Sequence, residues 1–306
     1  MTYLESKAPP ITLTQTRSAI LPSLIALLRP GQWPKNILVV PLPLLGATWS
    51  ATMLGRMGLM VAAFIVASSM VYVVNDIADR KRDRLHPDKR HRPIASGEVS
   101  VAAATALAAA LAVPLVALIG VLTLQDAWPV LLYLALNAAY SWKLKHFPLL
   151  DVFTVATGFV LRLVGGYEAT GDPIAEWLVL CVLALCLVLI LGKRRHELAA
   201  GGAGHRPALS GYSAHFLDHV LVLCSVLTVV TYLLYLRTET SFGPVALLTA
   251  PCALFALFRY LQIVMVRSEG GNPVRILLRD RVMVVNTLIW LALITVPELF
   301  ERFYRG

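Results

Sequence analysis

Apolar runs of about 20 residues recur along this chain of 306 residues, and they constrain its fold more than any other feature. A helix of that length crosses roughly 30 Å of hydrocarbon. Isolated strands would leave their backbone groups unpaired in lipid, so we expect each run to form a helix. Only 15% of the residues are charged and the mean hydropathy is +0.70, values that a soluble domain seldom shows. The sequence therefore predicts an all-α, polytopic membrane helix bundle.

The positions of the apolar runs predict about nine transmembrane helices. Their expected bounds are 36–54, 57–79, 99–121, 126–143, 148–166, 175–193, 215–236, 243–266 and 282–300. Residues 17–30 have the pattern of a short helix lying at the membrane interface, and residues 1–16 are predicted to form a flexible N-terminus. No long polar insert divides the runs, so we interpret residues 1–306 as a single transmembrane domain.

Lysine and arginine are distributed unevenly between the predicted connections. Of the 27 basic residues, 21 lie in the N-terminal segment or at the connections after the second, fourth, sixth and eighth runs. Positive charge favours the cytoplasmic side, so we expect a protein of the cell (inner) membrane with its N-terminus in the cytoplasm and its C-terminus outside. The net charge of +9 reflects this asymmetry and gives no support to nucleic-acid binding.

The stretch VYVVNDIADRKRDRLHPDKRHRPIASG (71–97) is unusually charged for so apolar a chain. Asn75, Asp79 and Asp83 are spaced i, i+4, i+8, so a continuing helix stacks them on one face, with Asp76 at its edge. Like charges in such a row repel each other, but a divalent cation among the oxygens makes the row favourable. A solvated loop would explain the basic residues but not this row. We predict that all four bind Mg²⁺, or Mn²⁺, and that the three aspartates are catalytic.

A family resemblance rests on the same residues. NDIADRKRD (75–83) matches the NDxxDxxxD motif of the UbiA superfamily of intramembrane prenyltransferases, and HPDKRHRPIASG (86–97) resembles its usual continuation. The resemblance covers nearly the whole chain. It implies one UbiA-like domain of nine transmembrane helices, with an active site that opens to the cytoplasm and Mg²⁺ held against a substrate diphosphate.

The region after the sixth run departs from the pattern of most members of this superfamily. Members that use prenyl diphosphates carry a second motif there, of DxxxD type. In this chain GKRRHEL (192–198) places Lys193, Arg194 and Arg195 there and leaves Glu197 as the only acid. A basic cluster does not bind Mg²⁺, but it can bind a phosphate directly. A substrate with one metal-bound diphosphate and a separate phosphate fits this arrangement, and 5-phosphoribosyl 1-diphosphate is such a molecule.

Several further segments resemble one branch of the superfamily, the decaprenyl-phosphate phosphoribosyltransferases. They are LRPGQWPKN (28–36), YSWKLKHFPLLDV (140–152), GFVLRLVGG (158–166) and LLRDRV (277–282). The branch implies transfer of 5-phosphoribose from 5-phosphoribosyl 1-diphosphate to a decaprenyl-like polyprenyl phosphate. The products would be polyprenyl-phosphoryl-5-phosphoribose, a precursor of cell wall arabinan, and diphosphate.

The candidate phosphate-binding residues are polar side chains at or near the predicted cytoplasmic ends of the helices. They are Lys35, Lys89, Arg92, Tyr140, Lys143, Lys145, Asp151, Arg162, Lys193 and Arg194. Other roles remain open for three of them. Lys35 could extend to the lipid headgroups, Asp151 could be an active-site acid or the partner of a nearby lysine, and Arg162 could belong to a buried structural ion pair.

Two other functions remain as alternatives. An ordinary prenyltransferase would move an isoprenoid from a prenyl diphosphate to an aromatic or lipid acceptor, but GKRRHEL in place of DxxxD argues against it. A transporter would be expected to show broken helices or ionisable groups near the membrane midplane on several helices. Here the polar residues gather at one membrane face, which favours an enzyme. The sequence leaves a homo-oligomer open.

Overall fold

The computed structural model describes residues 20–40, 50–87, 89–201, 207–238, 247–267 and 269–305, the last ten of these as backbone only. Across these ranges the chain forms helices and no strand, as the apolar runs predict. A 3₁₀ helix at Pro30–Val39 follows the first α-helix. The α-helices are α1 (Ile20–Leu28), α2 (Ala51–Arg84), α3 (Pro93–Ser96), α4 (Val101–Leu122), α5 (Leu124–Trp142), α6 (Leu150–Thr170), α7 (Glu176–Ala199), α8 (Ala214–Thr238), α9 (Ala250–Met265), α10 (Pro273–Arg279) and α11 (Arg281–Arg305).

Six of the helices in the described ranges are long and apolar enough to cross a membrane. They are α2, α4, α6, α7, α8 and the segment Leu247–Met265, which contains α9. The helices α5 and α11 match the fourth and ninth expected runs in position. About half of the first expected run, 36–54, lies outside the described residues, since residues 41–49 are not described. The expected total of nine is therefore not confirmed.

The predicted connection between the first two runs, at residues 55–56, is wrong. Helix α2 is continuous from Ala51 to Arg84, and the side chain of Ser50 caps its N-terminus. Arg56 therefore lies within a helical turn, where its guanidinium is 2.7 Å from a carboxylate oxygen of Asp126 in α5. This ion pair neutralises the charge of Arg56, a residue that the sequence alone placed in a loop.

Helix α6 lies at the centre of the bundle. About two thirds of its most apolar stretch is buried, against 11% for α4 at the periphery. One hydrophobic cluster joins α6 to α2, α4 and α5, and a second joins it to α7, α8 and α9. Gly165 allows α6 to approach α2 closely, since a Cβ there would lie 2.8 Å from the ring of Phe64. The side chains of α6 therefore pack between α2, α4 and α5 on one side and α7, α8 and α9 on the other.

Polar contacts show which helix ends lie together. Lys145, which follows α5, pairs with Asp79 near the end of α2, and Asp151 at the start of α6 pairs with Arg194 near the end of α7. We call this end of the bundle the basic end. It unites three of the connections that the charge distribution assigns to one side of the membrane. That this side is cytoplasmic stays a prediction.

Candidate active site

The predicted acidic row occupies the last three turns of α2, at the basic end. Asp76 and Asp83 are both almost fully buried, and the same nitrogen of Arg92 contacts both of them. Arg92 Nη1 donates to Asp76 Oδ1 at 3.0 Å and to Asp83 Oδ2 at 2.7 Å. Two of the predicted ligands therefore converge on one cation, and the predicted phosphate-binding residue Arg92 lies between them.

Arg29 is a second basic partner of the row, and sequence reasoning missed it. Its Nη2 donates to Asp76 Oδ1 at 2.6 Å, and its guanidinium lies 4.8 Å from the ring centroid of Tyr72. Arg29 adopts a positive φ of 52° between α1 and Pro30, which turns the chain toward α2. In the sequence, Arg29 could have been found from its position in LRPGQWPKN (28–36), one of the segments that carry the family resemblance.

Asn75 and Asp79 face α5 and the turn that follows it. Lys145 Nζ lies 2.7 Å from Asp79 Oδ1, so this predicted phosphate-binding residue lies directly beside the row. Ser141, which sequence reasoning did not single out, donates a short hydrogen bond to Asn75 Oδ1. The row is thus enclosed by α1, the segment after α2, and α5.

The row has the donor chemistry of a divalent-cation site. Carboxylate and amide oxygens are the ligands that Mg²⁺ prefers, and it commonly takes one or two carboxylates plus substrate phosphates. The convergence of Asp76 and Asp83 on a single guanidinium nitrogen fits this requirement. In the part of the chain that is described, no three His, Cys, Asp or Glu side chains are already grouped around one point. Metal binding would therefore replace basic partners of these carboxylates.

A second polar cluster, the Asp151 cluster, consists of Asp151, Arg194, Glu197 and Tyr212. Arg194 Nε donates to Asp151 Oδ2 at 2.7 Å, and its Nη1 donates to Glu197 Oε2 at 2.8 Å. Asp151 is fully buried and Arg194 is 3% exposed. Among the contacts described, the basic partner of Asp151 is thus an arginine rather than the lysine considered from the sequence. Phosphate binding by either residue stays a prediction.

Tyr212 fixes the turn that leads into α6. Its hydroxyl donates to Asp151 Oδ1 at 2.7 Å and accepts from the Leu149 N–H at 2.6 Å. Burial, together with the nearby Asp151 carboxylate, raises the pKa of Tyr212, so the phenol stays protonated and able to donate. Leu149 has a positive φ of 65°, which this hydrogen bond helps to hold. No sequence pattern pointed to Tyr212.

The remaining candidates lie around these two clusters at different depths. Lys193 is exposed, and its Nζ lies 3.9 Å from Glu197 Oε1. Lys143 is also exposed and lies 5.9 Å from the ring of Phe147. Tyr140 at the end of α5 and Lys89 in the 3₁₀ turn Lys89–His91 are half-buried. Their predicted contacts with substrate remain predictions.

Lys35 lies where several cations approach one another. Burial, followed in order of effect by the positive charges of Lys193, Arg162 and Arg29, lowers the pKa of Lys35 from the ordinary 10.5 to about 8. Lys35 lies in the 3₁₀ helix, and the other three basic residues lie in α7, in α6 and directly after α1. The region beside the acidic row is therefore electropositive and suited to anions.

The family of the chain follows from comparison with known proteins. The UbiA prenyltransferase family model matches residues 37–275. The chain belongs to this family. Known UbiA structures agree in fold: a UbiA homologue from Archaeoglobus fulgidus bound to DMAPP and Mg²⁺ superposes with a TM-score of 0.68 at 18% identity, over 90% of this chain and 99% of the other. The membership makes the protein an integral membrane protein and confirms the resemblance given by NDIADRKRD.

Several curated relatives share the name decaprenyl-phosphate phosphoribosyltransferase. Decaprenyl-phosphate phosphoribosyltransferase from Mycobacterium tuberculosis is 32% identical over 290 residues, covering 92% of this chain and 95% of the relative. The protein of that name from Corynebacterium glutamicum is 32% identical over 279 residues, covering 87% and 84% of the two chains. Protoheme IX farnesyltransferase 1 from Pseudomonas putida is 28% identical over 253 residues, with coverages of 74% and 76%.

Proposed function

We propose that this protein transfers 5-phosphoribose from 5-phosphoribosyl 1-diphosphate to a polyprenyl phosphate in a reaction that depends on Mg²⁺. The observation that carries the proposal is that the segment 192–198 has three basic residues and a single acid, Glu197, which Arg194 contacts at 2.8 Å. Where a prenyl-diphosphate enzyme would hold a second metal, this chain has a basic segment whose one acid is already paired. The 32% identity with curated decaprenyl-phosphate phosphoribosyltransferases over most of the chain supports the same assignment.

The residues of the acidic row would hold the metal. They are Asn75, Asp76, Asp79 and Asp83. A divalent cation bound there supplies charge neutralisation for the departing diphosphate. Arg92 and Lys145 lie beside these carboxylates, and their N–H groups would donate to the diphosphate oxygens. The UbiA homologues solved with Mg²⁺ and prenyl diphosphates support divalent metal use in this fold.

The transfer itself requires no side chain to remove a proton. An oxygen of the lipid phosphate forms a bond to C1 of the ribose, while the bond from C1 to the diphosphate oxygen breaks and its electron pair leaves with the diphosphate. A phosphate monoester is ionised near neutral pH, so the attacking oxygen already carries charge. Two anions must approach each other, and the cations around Lys35 lower that repulsion and orient the groups.

The membrane setting assigned to the reaction follows from the position of these residues. All of the charged contacts of the acidic row and of the Asp151 cluster lie at the basic end of the bundle. We propose that this end faces the cytoplasm, with the N-terminus on the same side and the C-terminus outside. A water-soluble donor would enter from the cytoplasm, and the polyprenyl chain of the acceptor would remain in the bilayer.

A transfer assay with two donors tests the proposal. Purified protein in lipid nanodiscs is incubated with polyprenyl phosphate, Mg²⁺ and either radiolabelled 5-phosphoribosyl 1-diphosphate or a radiolabelled prenyl diphosphate. We expect label in the lipid product from the first donor only. Asp79→Asn should abolish transfer, whereas Asp126→Asn, at the opposite end of the bundle, should retain it. Transfer of the prenyl group without transfer of phosphoribose would refute the assignment.

A further inference from the structure

The side chain of Arg162 is a buried charge whose partners are all neutral. It is 5% exposed, and it donates to Asn36 Oδ1 at 2.7 Å, to the Gly158 carbonyl at 2.6 Å and to Tyr133 Oη at 3.2 Å. No carboxylate in the described part of the chain lies within ion-pair distance of it. A buried guanidinium without a counter-ion is costly, so the structural ion pair considered from the sequence does not account for this residue.

Aromatic rings surround the same guanidinium. Its Cζ lies 4.6 Å from the ring centroid of Tyr133, 5.5 Å from that of Phe159 and 5.6 Å from that of Phe64. The ring faces attract the cation and exclude water from it. They do not neutralise its charge. A desolvated cation that keeps its full charge interacts strongly with an anion placed beside it.

Asn36 adds a donor that has no partner. Its side chain is 1% exposed, and its carbonyl oxygen is taken by Arg162. The amide nitrogen Nδ2 has no hydrogen-bond acceptor among the described residues. Buried polar groups are almost always paired, so an orphaned donor beside an uncompensated cation indicates a missing acceptor. The neighbouring residue Lys35 brings a second, half-buried cation to the same place.

We propose that Lys35, Asn36 and Arg162 form a binding subsite for a phosphate monoester. Two cations and an amide N–H match the charge and the acceptor oxygens of a phosphate dianion. Arg162 lies three helical turns beyond Asp151, or roughly 16 Å deeper along α6 from the basic end. The residues of this subsite are distinct from the proposed metal ligands on α2, and Lys35 lies in the electropositive region beside that row.

This inference rests on the proposed function for the identity of the ligand. Within that function, a phosphate monoester can come from two sources: the 5-phosphate of the donor or the phosphate of the lipid acceptor. Either one would be bound by residues other than those of the acidic row. The chemistry required of the subsite is the same in both cases, so binding measurements decide between them.

Thermal unfolding of the detergent-solubilised full chain, with inorganic phosphate as the probe, tests the subsite without any turnover. We expect phosphate to raise the unfolding temperature of the wild type. Arg162→Gln should need about 10- to 150-fold more phosphate for the same rise, as expected for the loss of one charge-assisted hydrogen bond. Arg56→Gln, which removes a paired arginine at the opposite end of the bundle, should respond as the wild type does.

Two further variants keep the test decisive if Arg162→Gln does not fold. Asn36→Leu removes the orphaned donor and Lys35→Met removes the second cation, and each should weaken the response to phosphate. An unchanged response in both folded variants would overturn the proposal. A wild type that phosphate does not stabilise would overturn it too.

The source of the phosphate is identified with two more probes. Ribose 5-phosphate should stabilise the wild type but not Arg162→Gln if the subsite binds the donor. A short polyprenyl phosphate, compared with the matching polyprenyl alcohol, should show that difference if the subsite binds the acceptor. Either pattern supports the subsite. If Arg162→Gln responds to both probes as the wild type does, the subsite is refuted. Because these readouts are binding alone, they remain valid even if the transfer assay fails.

Discussion

The pKa of Lys35 predicts how kcat/KM depends on pH. Burial and then the charge of Lys193 lower this pKa to about 8. Lys35 is a cation below that pH and neutral above it, so its attraction for a phosphate group should be lost as the pH rises through 8. The protonated fraction falls from about 90% at pH 7 to about 10% at pH 9. We therefore expect kcat/KM for the substrate whose phosphate Lys35 contacts to fall about tenfold per pH unit above pH 8.

Initial rates at subsaturating donor, and in a second series at subsaturating lipid acceptor, measure this profile between about pH 6 and pH 10, since kcat/KM reports the pKa values of the free enzyme. Lys35→Arg keeps the positive charge across the whole range, so its profile should lack the fall above pH 8. Lys193→Gln removes a like charge near Lys35, so its fall should begin at a higher pH than that of the wild type.

The control is Arg56→Gln, whose substitution lies at the opposite end of the bundle and should leave the profile unchanged. If Lys35→Arg retained the same fall above pH 8, the titrating group would be another residue. A shift of the fall to lower pH in Lys193→Gln would contradict the electrostatic reasoning, because removing a positive neighbour can only favour the protonated lysine.

Three further predictions concern the metal, the Asp151 cluster and helix packing. Activity should require Mg²⁺ or Mn²⁺, and Asp79→Ala should abolish transfer while circular dichroism shows an intact helical fold. Arg194→Met should lower the free energy of unfolding by about 3–5 kcal/mol in a denaturant titration, because it removes the arginine that pairs with the buried Asp151 carboxylate. Gly192→Ala should cost about 1–3 kcal/mol in the same titration, since its Cβ would clash with the hydroxyl of Tyr260, and Tyr260→Phe should restore part of it.

Each of these predictions has an outcome that contradicts it. Full activity in excess EDTA would remove the metal from the mechanism. A stability of Arg194→Met equal to that of the wild type would mean that the buried pair with Asp151 adds nothing to the fold. A Gly192→Ala variant whose loss of stability is unaffected by Tyr260→Phe would show that the two residues are not in contact. Arg237→Met, at an exposed helix end, serves as the control for the Arg194 substitution.

The helices and the acidic row were predictable from the sequence because both are local patterns. The length of an apolar run sets a membrane helix, and spacing within one helix sets which side chains share a face. Asn75, Asp79 and Asp83 do lie on one continuous helix, α2. A break was expected at residues 55–56 because glycine and arginine are typical of a loop, and this expectation was wrong. The cap at Ser50 and the ion pair of Arg56 hold that turn in the helix instead.

The partners of the charged residues could not be predicted, because only tertiary packing decides them. Arg29 reaches Asp76 from 47 residues upstream, and Tyr212 reaches Asp151 from 61 residues downstream. Spacing gives no information on such contacts. For the same reason the run Lys193, Arg194, Arg195 looked uniform in the sequence. In the structure Lys193 is exposed, whereas Arg194 is buried against an aspartate from another helix.

The central claim is that a phosphate monoester of a lipid becomes a phosphodiester to ribose. Phosphorus NMR of a complete reaction measures this directly, with purified protein, Mg²⁺, polyprenyl phosphate, 5-phosphoribosyl 1-diphosphate and a prenyl diphosphate present together. We predict that the lipid monoester signal is replaced by a phosphodiester signal, that diphosphate is released in equal amount and that the prenyl diphosphate remains intact. Consumption of the prenyl diphosphate while the lipid monoester and the 5-phosphoribosyl 1-diphosphate persist would contradict the account.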